Sequence, residues 1–145
     1  MKPIVNIVLA VLAGIVIGSL VNMAIITVGP YVIPLPDGAD VSTTESLRQS
    51  IALFTPVNFI TPFLAHALGT LAGAFAAAKV AASHRMRVAM SVGVFYLLGG
   101  LAAIQMLGGP LWFSAVDLLL AYLPMGYLGA VLAGATRARA QPRPA

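Results

Sequence analysis

Two side chains stand out chemically in this sequence, His66 and Asp117, because each is a titratable group inside a long apolar run. A carboxylate held in hydrocarbon costs about 2.5–3.5 kcal/mol or more, so it has to be paired, protonated or wet. Free imidazole titrates near neutrality, so a histidine at depth can carry or relay a proton. His66 belongs to the series Asn58, Pro62, His66 and Thr70. These residues recur every fourth position and form one polar stripe if the helix is continuous. Next to the stripe runs a row of small residues, Ala65, Gly69, Gly73 and Ala77, of the kind that lets a neighbouring helix come close. The stripe is therefore expected to face a bundle interior. Asp117 is followed by Tyr122 and Pro124. Both His66 and Asp117 lie about five to seven residues past a plausible interface, roughly 8–12 Å deep, and similar depth allows a pair. The candidate binding site is an intramembrane polar cluster of His66, Asp117, Asn58, Thr70 and Tyr122, lining an outward-facing cavity for a cation, a proton or a small polar solute. The structural alternative makes Asp117 an acid in the early turns of its helix, favoured by the helix dipole. His66 is then an interhelical hydrogen bonder.

Other chemistries find little support. There are no cysteines, which removes thiol catalysis, thiolate metal sites and disulfides. No H-E-x-x-H, G-x-S-x-G or P-loop pattern occurs. One histidine at depth cannot supply two axial haem ligands from one chain, and Met23, Met90, Met106 and Met125 read as packing. Asp37, Asp40 and Glu45 match no EF-hand loop and read as a solvated turn and a cap. No catalytic residue, metal ligand or cofactor is assigned. Basic and aromatic residues are not interleaved as in nucleic-acid modules, so no nucleic-acid partner is expected.

The elements that would position the cluster are membrane helices. The 145 residues are 60% hydrophobic and 8% charged, with a mean hydropathy of +0.98. Soluble domains carry about 25% charged residues. Crossing a bilayer takes about 20 apolar residues, and four stretches approach this length, at 4–28, 57–79, 88–107 and 111–135. The first is too long for the apolar core of a signal peptide and lacks a good cleavage site. The fold class is all-α and integral to the membrane: a four-transmembrane-helix bundle forming a single domain over 1–135. The loop 29–56 is expected outside the cytoplasm, and 136–145 reads as a disordered basic cytoplasmic tail.

Within that loop, Pro30, Pro34 and Pro36 should stop the first helix. Ser42 and Glu45 read as a capping box opening a short amphipathic surface helix. Its apolar face is Leu47, Ile51 and Phe54, and it would cover the mouth of the bundle. Pro62 would leave the Asn58 carbonyl without its usual partner, and Pro124 is expected to kink the fourth span. Gly14 and Gly18, Gly69 and Gly73, and Gly126, Ala130 and Gly134 are packing rows. The first and last of these offer faces for a second copy. Asn6 and Asn22 share the first row's spacing and read as interhelical hydrogen bonders rather than pore lining.

Seven of the eight basic residues, Lys2, Lys79, Arg85, Arg87, Arg137, Arg139 and Arg143, fall on one side of this scheme. That places both termini in the cytoplasm and the protein in a cell (inner) membrane. The first functional reading is a small transport or channel-type protein, expected as a homo-oligomer in the lipid bilayer. The second is a non-catalytic accessory or assembly subunit docking a membrane-protein partner. The third is a membrane-embedded enzyme acting on a lipid or quinone, which lacks a visible nucleophile.

Overall fold

The structure, a computed structural model, describes residues 3–136. Lys2 and the basic tail at 137–145 lie outside the described residues. The described residues are helical, with no strand. Six helices occur in chain order: α1 (Pro3–Val32), α2 (Thr44–Ser50), α3 (Ile60–Val80), α4 (Arg85–Leu107), α5 (Leu111–Leu120) and α6 (Leu123–Leu132). Short 3-10 turns at Ile51–Leu53 and Pro56–Phe59 link α2 to α3. Four helical stretches are long and apolar enough to cross a membrane: Pro3–Val32, Pro56–Val80, Arg85–Leu107 and Leu111–Leu132.

Two boundaries differ from expectation for reasons of proline chemistry. Pro30 does not stop α1, which runs on to Val32. Near a helix end the missing N–H frees only one carbonyl, that of Ile26, and the Ile33 N–H still reaches the Gly29 carbonyl at 2.8 Å. Pro124, by contrast, divides the fourth span into α5 and α6, with Ala121 and Tyr122 outside both. There the ring meets the carbonyl of Leu120 in mid-span, and the chain restarts with Pro124 in the first turn of α6.

α3 is the central element, and the reason is the small residues on two of its faces. One face packs on α1 at backbone distance. A Cβ added to Gly14 would stand 2.7 Å from the Gly73 carbonyl oxygen, and one added to Gly18 would stand 2.6 Å from that of Gly69. The other face packs on α6, where a Cβ on Gly129 would stand 2.5 Å from the Leu71 carbonyl oxygen. Gly126 of α6 lies against Gly93 of α4. The Gly14 and Gly18 row is thus occupied within the chain and is not a spare face for a second copy. Gly134 does not extend the α6 row. It follows the helix end with φ +82°, and the Gly134 and Ala135 N–H groups return to the Val131 and Ala130 carbonyls. This Schellman closure needs a left-handed residue at that position.

Side chains fasten the helix ends. At the end opposite α2, Asn6 donates to the Val80 carbonyl and accepts from the Ala82 N–H at 2.7 Å, so its role is structural. The Arg85 guanidinium donates to the carbonyls of Ala78 and Ala133 at 2.6 and 2.7 Å, tying the last turns of α3 and α6 to the start of α4. At the other end the capping box lies one residue later than expected. Thr43 is the N-cap, and it exchanges hydrogen bonds with Ser46. Glu45 instead accepts from Gln49. The loop ahead of α2 is held by Ser50, which bonds both backbone groups of Asp40. The Ser42 hydroxyl and backbone N–H hold the Asp40 carboxyl below the usual carboxylate pKa. Phe59 packs on Phe54, Trp112 and Phe113 at ring separations of 5.7, 5.4 and 4.7 Å. These contacts fix the α2 connection over the start of α5.

Candidate functional site

α3 and α5 begin at the same level, as the Phe59–Phe113 contact requires. His66 lies six residues into α3 and Asp117 six residues into α5. Each is therefore about 9 Å along its axis from the helix start, and the two side chains meet. His66 Nδ1 stands 2.9 Å from Asp117 Oδ1 and 3.0 Å from Oδ2. The Tyr122 hydroxyl donates to Asp117 Oδ2 at 2.7 Å and stands 3.1 Å from His66 Nδ1. With Asp117 ionised, its oxygens only accept, and the His66 tautomer that bonds them carries its hydrogen on Nδ1. Nε2 is then the free nitrogen of the ring, with no partner among the described residues. The imidazole also stacks on the Tyr122 ring at 5.8 Å.

Tyr122 reaches Asp117 because the span is broken. In a continuous helix, residues five apart point about 140° away from each other. The interruption at Ala121–Tyr122 turns the phenol back toward α5. The break that Pro124 imposes thus completes the cluster.

Burial makes these bonds matter. Asp117 is 3% exposed and Tyr122 2%, and the sole ion-pair partner of Asp117 among the described residues is His66. A buried charge stripped of its partner costs far more than the pair itself contributes. A neutral His66 gives a charge-assisted hydrogen bond, and a doubly protonated one gives an ion pair.

Two cavities flank the imidazole. The first, about 240 Å³, lies under α2 and is lined by Leu47, Ile51, Phe54, His66, Phe113 and Asp117 among others. The apolar face of α2 and of the turn that follows it forms part of this cavity's wall. The second, about 280 Å³, lies between α1 and α4 and is lined in part by Ser19, Asn22, His66, Thr70, Tyr96 and Tyr122. His66 borders both. Asp117 borders only the first, and Tyr122 only the second.

Of the five residues expected to cluster, the structure brings His66, Asp117 and Tyr122 into contact and places Thr70 on the second cavity. Asn58 is elsewhere. Its carboxamide oxygen accepts from the Thr55 N–H and hydroxyl, and its NH₂ donates to the Pro34 carbonyl at 3.0 Å. It caps the 3-10 turn Pro56–Phe59 that leads into α3 and latches the loop. The expected stripe fails there because Asn58 sits in a 3-10 turn rather than in α3. Pro62 falls in the first turn of α3, where its missing N–H has no partner to lose. Ser19 and Tyr96 were not anticipated. The Tyr96 hydroxyl donates to the Ile15 carbonyl at 2.6 Å and lies 3.1 Å from Ser19 Oγ. Nothing in the local spacing marks them, because they converge only when α1 crosses α4. Among the described residues, no three His, Cys, Asp or Glu side chains come together as a metal site. No protein-family model, curated protein or solved structure matches the chain.

Proposed function

We propose that this is a small multi-pass membrane protein of the transport or channel type in which His66, Asp117 and Tyr122 form a proton-binding site. The observation that carries this reading is the buried carboxylate of Asp117, whose ion-pair partner is a titratable imidazole bordering two cavities. A proton accepted at His66 Nε2 makes an imidazolium that stays paired with Asp117, and its release restores the neutral ring. Tyr122 holds the second carboxylate oxygen through both states. A hard divalent cation is poorly served, since it takes six or more oxygen ligands and the cluster offers one carboxylate and one phenol. All three side chains come from one chain, so the site needs no second copy.

The positive-inside rule supports both termini in the cytoplasm, with α2 and its loop outside a cell membrane. The cavity under α2 is then the outer one.

The test is proton flux into liposomes carrying the purified protein, followed with an enclosed pH-sensitive dye under an imposed potential. Asp117→Asn and His66→Gln should lower the flux to that of empty liposomes, and Tyr122→Phe should reduce it in part. Wild-type flux no greater than that of empty liposomes, or full flux in Asp117→Asn, sinks the proposal.

A further inference from the structure

The cavity between α1 and α4 is larger than the proton site needs, and it contains an anomaly. Thr70 is fully buried, yet its hydroxyl has no hydrogen-bond partner. A buried hydroxyl left unpaired costs about 1–3 kcal/mol, and a helical threonine ordinarily bonds back to the preceding turn. Thr70 shares the cavity wall with His66, whose Nε2 is free, and with Asn22, whose carboxamide makes no hydrogen bond among the described residues. Three polar side chains on two helices therefore border one space of about 280 Å³ with bonding capacity unspent.

The chemistry of the wall selects the ligand. No Lys, Arg, Asp or Glu lines this cavity, so with His66 neutral a charged ligand finds no counter-charge. With its Nδ1 hydrogen engaged by Asp117, His66 offers an acceptor at Nε2, which calls for a donor such as a hydroxyl. Thr70 and Asn22 can each give and accept. Of the remaining wall, the hydroxyls of Ser19, Tyr96 and Tyr122 are already hydrogen-bonded, and Met23, Gly69, Gly99, Gly100 and Ala103 are apolar or bare backbone.

The position of the opening selects the route. α1 and α4 are packed together lower down, through Ala10, Val88 and Val92. Above Tyr96 they part, leaving Ser19, Met23 and Gly99 exposed. Space is open over Gly99, where an added Cβ would meet nothing within 4 Å. Ser19 stands about 20–24 Å from the two ends of α1. In a bundle that spans the bilayer, such an opening faces acyl chains rather than water.

We propose that this cavity binds the uncharged, hydroxyl-bearing head of an amphiphile that enters from the bilayer between α1 and α4. The hydroxyl donates to His66 Nε2 and satisfies Thr70, while the tail leaves past Gly99 along the lipid-facing groove. This inference rests on the membrane placement proposed above and extends the same site to a ligand. It does not require proton flux.

The probe is a twelve-carbon alkanol carrying a diazirine near its hydroxyl, photolysed with the protein in nanodiscs, with the labelled positions mapped by mass spectrometry. Labels should concentrate at 19–23 and 99–103. Excess 1-dodecanol should compete, and dodecane, dodecanoic acid and glycerol should not. Thr70→Val, which keeps the shape and removes the hydroxyl, should lower labelling about five-fold. Gly99→Phe, which fills open space at the mouth, should abolish it. Labels spread evenly over the lipid-facing helices, competition by dodecane equal to that by dodecanol, or competition by glycerol alone would each overturn the proposal. So would unchanged labelling in both variants. Specific labelling in a protein that conducts no protons would remove the transport reading and leave this one standing. Proton flux without specific labelling would do the reverse.

Discussion

Asp117 has two carboxylate oxygens, and both are in use, one or both by His66 and one by Tyr122. At this scale the molecule separates residues that hold structure from residues left with capacity. Asn58, Asn6 and Arg85 each bond two backbone groups, while Thr70 is buried and unpaired. That contrast predicts opposite outcomes for substitutions of similar size. Thr70→Val removes an unpaired hydroxyl and should raise stability by about 1 kcal/mol in ligand-free detergent solution, read from denaturant unfolding. Asn58→Ala frees the Thr55 N–H and the Pro34 carbonyl, and should lower stability by about 1–3 kcal/mol without the loss of proton flux expected of Asp117→Asn. A destabilised Thr70→Val would mean that the hydroxyl is satisfied after all.

Two devices operate at the scale of elements. One is the broken fourth span. Pro124→Ala returns an N–H and removes the clash with the Leu120 carbonyl, which should let 111–132 run as one helix and carry Tyr122 away from Asp117. The expected outcome is a protein at least as stable as wild type with reduced proton flux, checked by thermal unfolding and the liposome assay together. Unaltered flux would mean that the break does not serve the cluster. The other device is the backbone contact of α1 on α3. A side chain at Gly73 has to displace the Gly14 carbonyl, 2.6 Å from the new Cβ, and backbone cannot swing aside as a flexible side chain can. Gly73→Val should therefore cost about 3 kcal/mol, at the upper end for overpacking, seen as a lowered unfolding midpoint. Gly99→Ala, where nothing lies within 4 Å of the added Cβ, should be close to neutral.

For the whole molecule, the decisive property is the asymmetry of its ends. Arg85 fastens the end that carries Lys79 and Arg87, and an aromatic cluster with a short surface helix covers the other. Because the chain lacks cysteine, a single introduced thiol reports sidedness without background. In intact cells Ser42→Cys should react with a membrane-impermeant maleimide, and Ser83→Cys should react only after permeabilisation. The inverse pattern would reverse the proposed orientation.

Composition and the lengths of the apolar runs by themselves determined an all-helical chain with four helices long enough to cross a membrane. Backbone groups in hydrocarbon have to be paired within a helix, so four long apolar runs imply four helices whatever their arrangement. The small-residue rows marked α3 as a close-packing element for the same kind of reason, since a missing side chain permits close approach in any partner arrangement. Equal distance from the helix starts made His66 and Asp117 candidates for a pair. Whether they touch depended on how far α3 and α5 rotate about their axes, and no local pattern encodes that angle. Proline illustrates the limit. Its chemistry is the same at Pro30 and Pro124, yet one lies inside a helix and the other divides a span. The difference lies in what surrounds each ring: the last turn of α1 in one case, a mid-span carbonyl and a buried tyrosine with a carboxylate to reach in the other. The cavity at Thr70 was the least legible feature of all. Ser19, Asn22, Thr70 and Tyr96 come from three helices, and only the crossing of α1 over α3 and α4 put them around one space.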